Sequence, residues 1–79
     1  MNQDLAGLLQ FHRKRSGLTQ QQLAELAGVG KNLVYELESG KTTVRWENLL
    51  RVLSVLNVRV EFRSPLTDLW EKERGGAAG

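Results

Sequence analysis

Two short runs of helical periodicity, separated by a glycine-containing turn, constrain the fold of this chain more than any other feature. They lie in residues 19–41, "TQQQLAELAGVGKNLVYELESGK". Thr19 and Gln22 have the Thr-x-x-Gln spacing of a capping box, which predicts a helix over residues 20–27. The glycine-valine-glycine sequence after it predicts a tight turn, and a further helix follows over 31–39. The sequence therefore predicts two short helices joined by a tight, non-helical turn.

Apolar residues at helical spacing predict two further helices. Residues 4–15 carry Leu5, Leu8 and Leu9 on one stripe, and they end in a basic run followed by a glycine. Residues 45–56 carry a wider apolar stripe, which predicts a helix buried on more than one side. The side chains expected on the buried faces of the four helices are Leu5, Leu8, Leu9, His12, Leu23, Leu26, Ala27, Leu33, Val34, Leu37, Trp46, Leu49, Leu50, Val52, Leu53 and Leu56.

After the fourth predicted helix the apolar period changes from that of a helix to that of a strand. Val58, Val60 and Phe62 alternate with charged residues over 58–63. No other part of the sequence has this pattern, and a lone strand leaves its backbone donors and acceptors without partners. We therefore expect the same strand of a second copy to pair with it, antiparallel across a two-fold axis, in a homodimer.

The C-terminal tail permits two interpretations. Leu66, Leu69 and Trp70 share one helical face. They could pack on the domain's own core, or they could anchor the chain in a pocket of another protein. The glycine-rich end is expected to be disordered. The predicted organisation is a helical domain over 1–57, a dimerising strand over 58–63 and a tail over 64–79.

Composition argues against several classes of function. The 79 residues include no cysteine and a single histidine, His12, so no disulfide, metal site or cofactor is expected. No nucleophile and base can be paired, and there is no glycine-rich phosphate loop, so we do not expect an enzyme. No apolar run is long enough to span a membrane, and the N-terminus does not resemble a signal peptide. The expected location is the cytoplasm.

The helix predicted over 31–39 carries chemistry suited to double-stranded DNA. Two short helices joined by a tight turn are the plan of a helix-turn-helix, whose second helix enters the major groove. Lys31 can donate to guanine, Asn32 can bond adenine twice, and Glu36 can accept from cytosine. Tyr35, on the same face, could bond a phosphate or contact a thymine methyl group. The alternative is a polar face that meets only solvent.

Charge and flanking residues favour the DNA interpretation. The net charge is +2, and residues 1–63 carry nine basic and six acidic side chains. Polar side chains before and after the predicted reading helix are suited to phosphate contacts. The expected contacts to the DNA backbone are Gln20, Gln21, Ser39, Lys41, Thr42 and Thr43.

The stretch "RSGLTQQQLAELAGVGKNLVYELESGKTT" resembles the helix-turn-helix of lambda-repressor/Cro-like, or XRE-type, transcription regulators. The resemblance implies an all-α domain of four to five helices, with Gln20 on a phosphate and Lys31, Asn32 and Glu36 reading bases beside Tyr35. It also implies an ion pair between Arg13 and Glu38 that fixes the reading helix. The matching residues are Gly17, Leu18, Thr19, Gln20, Leu23, Ala24, Gly28, Val29, Val34, Glu38, Gly40 and Lys41.

One position departs from that family. Its members often have Ser or Thr as the cap before the reading helix, where this chain has Gly30. Any phosphate contact made by a cap side chain is therefore not expected here.

The C-terminal third narrows the resemblance to HipB-type antitoxins, which also have a strand after the fourth helix and then a polar tail containing tryptophan. That resemblance implies a dimer whose strands pair across the two-fold axis. It also implies binding to inverted-repeat operators in its own promoter, and to a HipA-type kinase toxin. A stand-alone XRE-type repressor without a toxin is the alternative from the same fold.

Overall fold

The computed structural model describes residues 2–41 and 43–78. In these two ranges the chain forms five helices and no strand. The first four helices lie where the sequence predicts them, and the tail forms a fifth. Their bounds are α1 Asn2–Arg15, α2 Gln20–Ala27, α3 Lys31–Glu38, α4 Trp46–Val55 and α5 Thr67–Ala78.

Helices α1 to α4 all end with the same backbone motif. A residue with positive φ follows each helix: three are glycines, and the fourth is Asn57 with φ of 59°. After α2, Gly28 donates its N–H to the Glu25 carbonyl at 3.2 Å, and Val29 donates to the Ala24 carbonyl at 2.9 Å. These are the two bonds of a Schellman motif, which satisfies carbonyls that the helix itself leaves open. The sequence therefore stops each of these helices locally.

The core takes one fully buried side chain from each of the first four helices. Leu9, Leu23, Val34 and Val52 are each almost wholly inaccessible to solvent. Helix α2 packs against both α3 and α4, and α1 packs against α3. The exposed face of α3 therefore points away from a core formed by all four helices.

Four of the side chains expected in the core are exposed: Leu8, Leu26, Trp46 and Leu50. Leu26 is the clearest case, with 63% of its surface accessible. Helix α2 instead buries Leu23, Ala24 and Ala27. At about 100° per residue, Leu26 lies on the far side of Leu23 from the middle of that buried arc. Ala24 therefore takes the buried place that the sequence pattern assigned to Leu26, while Leu23 and Ala27 are buried as predicted.

Residues 58–63, predicted as a strand, are not a strand in this single chain. Among the described residues, none makes a backbone hydrogen bond to residues 59–63. The physical reason is that a strand exists only with a partner, and one chain supplies none. The Phe62 ring lies 6.3 Å from the ring of Trp46, at the start of α4, so the segment runs back along that helix.

Helix α5 extends away from the core. In the described ranges, no residue after Val58 contributes to the core cluster. The radius of gyration is 15.3 Å, against about 12 Å for a compact chain of this length. Leu66, Leu69 and Trp70 are all more than half exposed. The tail of the single chain therefore does not fold back on its own core.

Candidate nucleic-acid interface

Helix α3 presents a polar face because its apolar residues are confined to the opposite side. Val34 and Leu37 are buried, while Lys31, Asn32 and Tyr35 are exposed. Glu36 is half-buried beside them. The four predicted base-reading side chains therefore lie along one side of a single short helix.

Side chains act differently at the two ends of α3. The N-cap Gly30 makes no side-chain hydrogen bond. At the other end, the Ser39 hydroxyl donates to the Tyr35 carbonyl at 2.8 Å. Because a serine hydroxyl has a single proton to donate, Ser39 cannot donate to a phosphate while that bond is present.

A groove at the N-terminal end of α3 brings together three predicted DNA contacts. Gln20, Gln21 and Lys31 line it, although they belong to two different helices. The capping box holds the start of α2 in place: Gln22 donates its N–H to the Thr19 hydroxyl at 3.0 Å. The Gln21 amide donates to Glu25 one turn later. This groove gathers amide and ammonium donors suited to a phosphate oxygen.

Arg13 and Glu38 form a bidentate ion pair at that groove. Arg13 donates from Nε to Oε2 of Glu38 at 2.6 Å and from Nη2 to Oε1 at 2.9 Å. The side chain of Glu38 is only 3% exposed. Hydrogen bonding to this carboxylate raises the pKa of the Arg13 guanidinium, so the stability that this guanidinium contributes is fully present at neutral pH and is lost as the pH rises through the raised pKa.

The ion pair also holds Gln20. The Gln20 side-chain amide donates to Oε1 of Glu38 at 3.2 Å. An amide nitrogen has two protons, so one remains for a phosphate. The predicted phosphate contact is therefore oriented by a buried carboxylate from α3.

The C-terminal end of α3 gathers a second set of predicted contacts. Glu36, Lys41 and Thr43 line one small groove. The Lys41 ammonium forms an ion pair with the Glu36 carboxylate at 2.9 Å. Thr42, also predicted to contact the DNA backbone, lies outside the described residues. Asn32 and Tyr35 lie on α3 between the two grooves.

Comparison with known proteins identifies the family of the chain. Residues 4–66 match a family described as a helix-turn-helix domain. The chain belongs to the helix-turn-helix family. Over 62 residues it is 36% identical to an uncharacterised HTH-type transcriptional regulator, y4mF, of Sinorhizobium fredii, an alignment covering 78% of this chain and 82% of the relative. Both matches support an XRE-like regulator and, with it, DNA-binding transcription regulation as the class of function.

In this helix-turn-helix protein, α2 and α3 are the two helices of the motif, and α3 has the place of the recognition helix. Sequence reasoning missed two contacts of the site, Gln20 with Glu38 and Glu36 with Lys41. The first joins residues 18 positions apart and has no local signal. The second could have been found from the glycine that ends α3, because a Schellman motif brings these positions together.

Other kinds of site find no support in the described part of the chain. No group of histidine, aspartate and glutamate side chains there could hold a metal ion. The helices described there are all too short or too polar to cross a membrane.

Proposed function

We propose that this protein is a sequence-specific transcriptional repressor that places α3 in the major groove of its operator. The observation that carries the proposal is the exposed polar face of α3, flanked at each end by a groove lined with groups suited to phosphates. In this pose Gln20 and Lys41 contact the DNA backbone on either side. Phosphate contacts position the helix, and the side chains between them read the sequence.

Three of the proposed reading side chains have one preferred base contact each. Lys31 donates to O6 and N7 of guanine, and Asn32 bonds N6 and N7 of adenine. Glu36 accepts from the amino group of cytosine. Tyr35 contacts a thymine methyl group or a phosphate. None of these roles is catalytic, and we propose a binding protein rather than an enzyme.

We propose that the repressor is a homodimer joined through residues 58–63. The support is physical: among the described residues, none makes a backbone hydrogen bond to residues 59–63, and Phe62 is 76% exposed. Pairing with the same segment of a second copy would satisfy the backbone groups and cover apolar side chains. Two recognition helices would then meet successive major grooves about 34 Å apart, so the operator would be an inverted repeat.

We further propose that the protein is a HipB-type antitoxin that represses its own promoter and binds a HipA-type kinase toxin. The observation in favour is the exposed apolar face of Leu66, Leu69 and Trp70. Aromatic and aliphatic anchors of this kind fill pockets at protein interfaces. The alternative is a stand-alone XRE-type repressor, in which this face would not bind a toxin.

The test of DNA reading is selection from a duplex library of randomised sequence with the wild-type protein. We expect an inverted repeat to be enriched. Asn32→Ala should weaken binding to that site by about 1–3 kcal/mol and relax the choice at one base pair. Binding to a scrambled duplex should be nearly unchanged by this substitution.

Gln20→Ala is the matched control, because Gln20 is proposed to contact only the backbone. It should weaken binding to the enriched and scrambled duplexes by the same factor. Equal losses on both duplexes for Asn32→Ala would contradict base reading by α3, and a library without enrichment would contradict sequence-specific repression.

A further inference from the structure

The end of α3 differs from the ends of the other core helices in one residue. In each Schellman motif the residue after the positive-φ position donates its N–H to the carbonyl five residues earlier. At the ends of α1, α2 and α4 that residue is Leu18, Val29 or Val58, and each packs against the core. At the end of α3 it is Lys41, which is exposed. The motif usually brings two apolar residues together; here it joins two charges.

The partner of Lys41 is fixed by the same motif. Lys41 donates its backbone N–H to the Glu36 carbonyl at 3.0 Å, and its ammonium lies 2.9 Å from the Glu36 carboxylate. Because the backbone bonds already hold the two residues side by side, closing the ion pair orders only their side chains. Both side chains remain about half exposed, so the pair is modest in strength and can exchange partners.

Both members of the pair belong to the proposed DNA interface. Lys41 is expected to contact a phosphate and Glu36 to reach a base. While the pair is closed, the carboxylate occupies the place of a phosphate oxygen beside the ammonium. If Lys41 turned to the DNA, Glu36 would be left facing a polyanion without a cation, which is unfavourable unless a base supplies a donor.

We propose that Glu36 is a specificity determinant. On DNA other than the operator, its ion pair keeps Lys41 from contacting a phosphate. On the operator, a cytosine amino group donates to the Glu36 carboxylate, and Lys41 then contacts a phosphate. This inference rests on the proposed function. The pair thus raises specificity by weakening binding to the wrong DNA, in addition to any contact that favours the right one.

The experiment is a double-mutant cycle on two labelled duplexes, one scrambled and one enriched by the wild-type protein. Wild type, Glu36→Gln, Lys41→Ala and the double variant are titrated by fluorescence anisotropy between about 50 and 200 mM salt. Thermal melting of each variant checks that the fold is intact.

On the scrambled duplex, Glu36→Gln should tighten binding about twofold to fivefold. It should also steepen the slope of log affinity against log salt by about 0.9, the value for one further phosphate contact. Both effects should disappear in the Lys41→Ala background. On the enriched duplex, Glu36→Gln should leave the slope unchanged, because Lys41 already contacts its phosphate there.

Two outcomes would overturn the inference. A gain from Glu36→Gln that is equally large without Lys41 would show a general charge effect and not a pair. An unchanged or weaker affinity of Glu36→Gln for the scrambled duplex would show that Glu36 does not keep Lys41 from a phosphate. Failure of the wild-type protein to bind DNA would instead overturn the proposed function, so the two failures are distinguishable.

Discussion

Glu38 is the residue on which the geometry of the interface depends most. Its carboxylate is almost fully buried and receives hydrogen bonds from Arg13 of α1 and Gln20 of α2. One side chain of the recognition helix is therefore held by the two helices behind it. The charge is matched, and the described part of the chain has no buried side-chain nitrogen or oxygen without a hydrogen-bond partner. Burial of such a pair is stable only while both partners are present, because removing one leaves a buried charge without a counter-charge.

Removing one partner of the Arg13–Glu38 pair should therefore destabilise the fold strongly. Arg13→Ala leaves the Glu38 carboxylate buried with only Gln20 as a donor, and should lower the free energy of unfolding by about 3–5 kcal/mol. Urea denaturation followed by circular dichroism measures this loss.

The matched control is Glu71→Ala, which breaks the ion pair of Arg74 with Glu71 and leaves Arg74 over the Trp70 ring. Both of those side chains are more than half exposed. An exposed pair of this kind contributes little, so the change should stay within about 0.5 kcal/mol. Equally small losses in the two variants would show that the Arg13–Glu38 pair does not brace α3.

At the scale of elements, α5 differs from the four helices before it. It begins after a turn in which Ser64 donates its N–H to the Thr67 hydroxyl at 2.6 Å. None of its described apolar side chains belongs to the core cluster or to the partly buried residues packed against it. The Arg74 guanidinium lies 4.6 Å from the centre of the Trp70 ring. The described hydrogen bonds and ring contact of α5 are between neighbouring residues of the chain, and its described apolar side chains are exposed to solvent.

Truncation after Arg63 tests both statements about α5. Because no described residue of the deleted segment belongs to the core, the thermal midpoint should change by no more than about 2 °C, well below the shift expected from losing 1 kcal/mol. Co-purification with the proposed kinase toxin should be lost.

Leu69→Lys in the full chain is the companion variant, since it removes one apolar anchor and keeps the helix. It should also abolish co-purification, whereas Lys72→Ala on the same helix should not. A clearly lower midpoint on truncation would contradict the independence of the core from α5. Undiminished capture of the kinase would contradict the proposed anchor.

At the scale of the whole molecule, exposed apolar surface is concentrated in the C-terminal half. The chain is elongated, with extents of 44 × 24 × 23 Å. Its core is small, and a domain of this size without disulfides often depends on oligomerisation for stability. The large apolar side chains left exposed from α4 onward are Trp46, Leu50, Val60, Phe62, Leu66, Leu69 and Trp70.

We expect sedimentation at micromolar concentration to give a species of twice the 8.9 kDa chain mass. Val60→Pro should shift it to a single chain, because proline removes a backbone donor from the pairing segment. Arg59→Ala, which keeps every backbone donor, should remain dimeric. A wild-type monomer that binds an inverted repeat no better than one half-site would contradict the dimer.

Much of the fold could be predicted from the sequence because its determinants are local. The capping box at Thr19 starts α2, and left-handed residues such as Gly17 and Gly28 end helices through bonds to carbonyls within five residues. The exposed polar face of α3 also follows from helical spacing alone. The ion pair of Arg13 with Glu38 was implied by resemblance and not by the residues, since nothing local joins positions 25 apart.

By itself, then, the sequence determined where α1 to α4 lie and which polar side chains share the exposed face of α3. Only the tertiary structure decided that Leu26 is exposed while Ala24 is buried, and that Gln20 is held by Glu38. It also decided that residues 59–63 make no backbone hydrogen bond to another described residue in one chain. The physical reason is that helix limits depend on hydrogen bonds within a few residues, whereas burial and pairing depend on which surfaces meet across the fold.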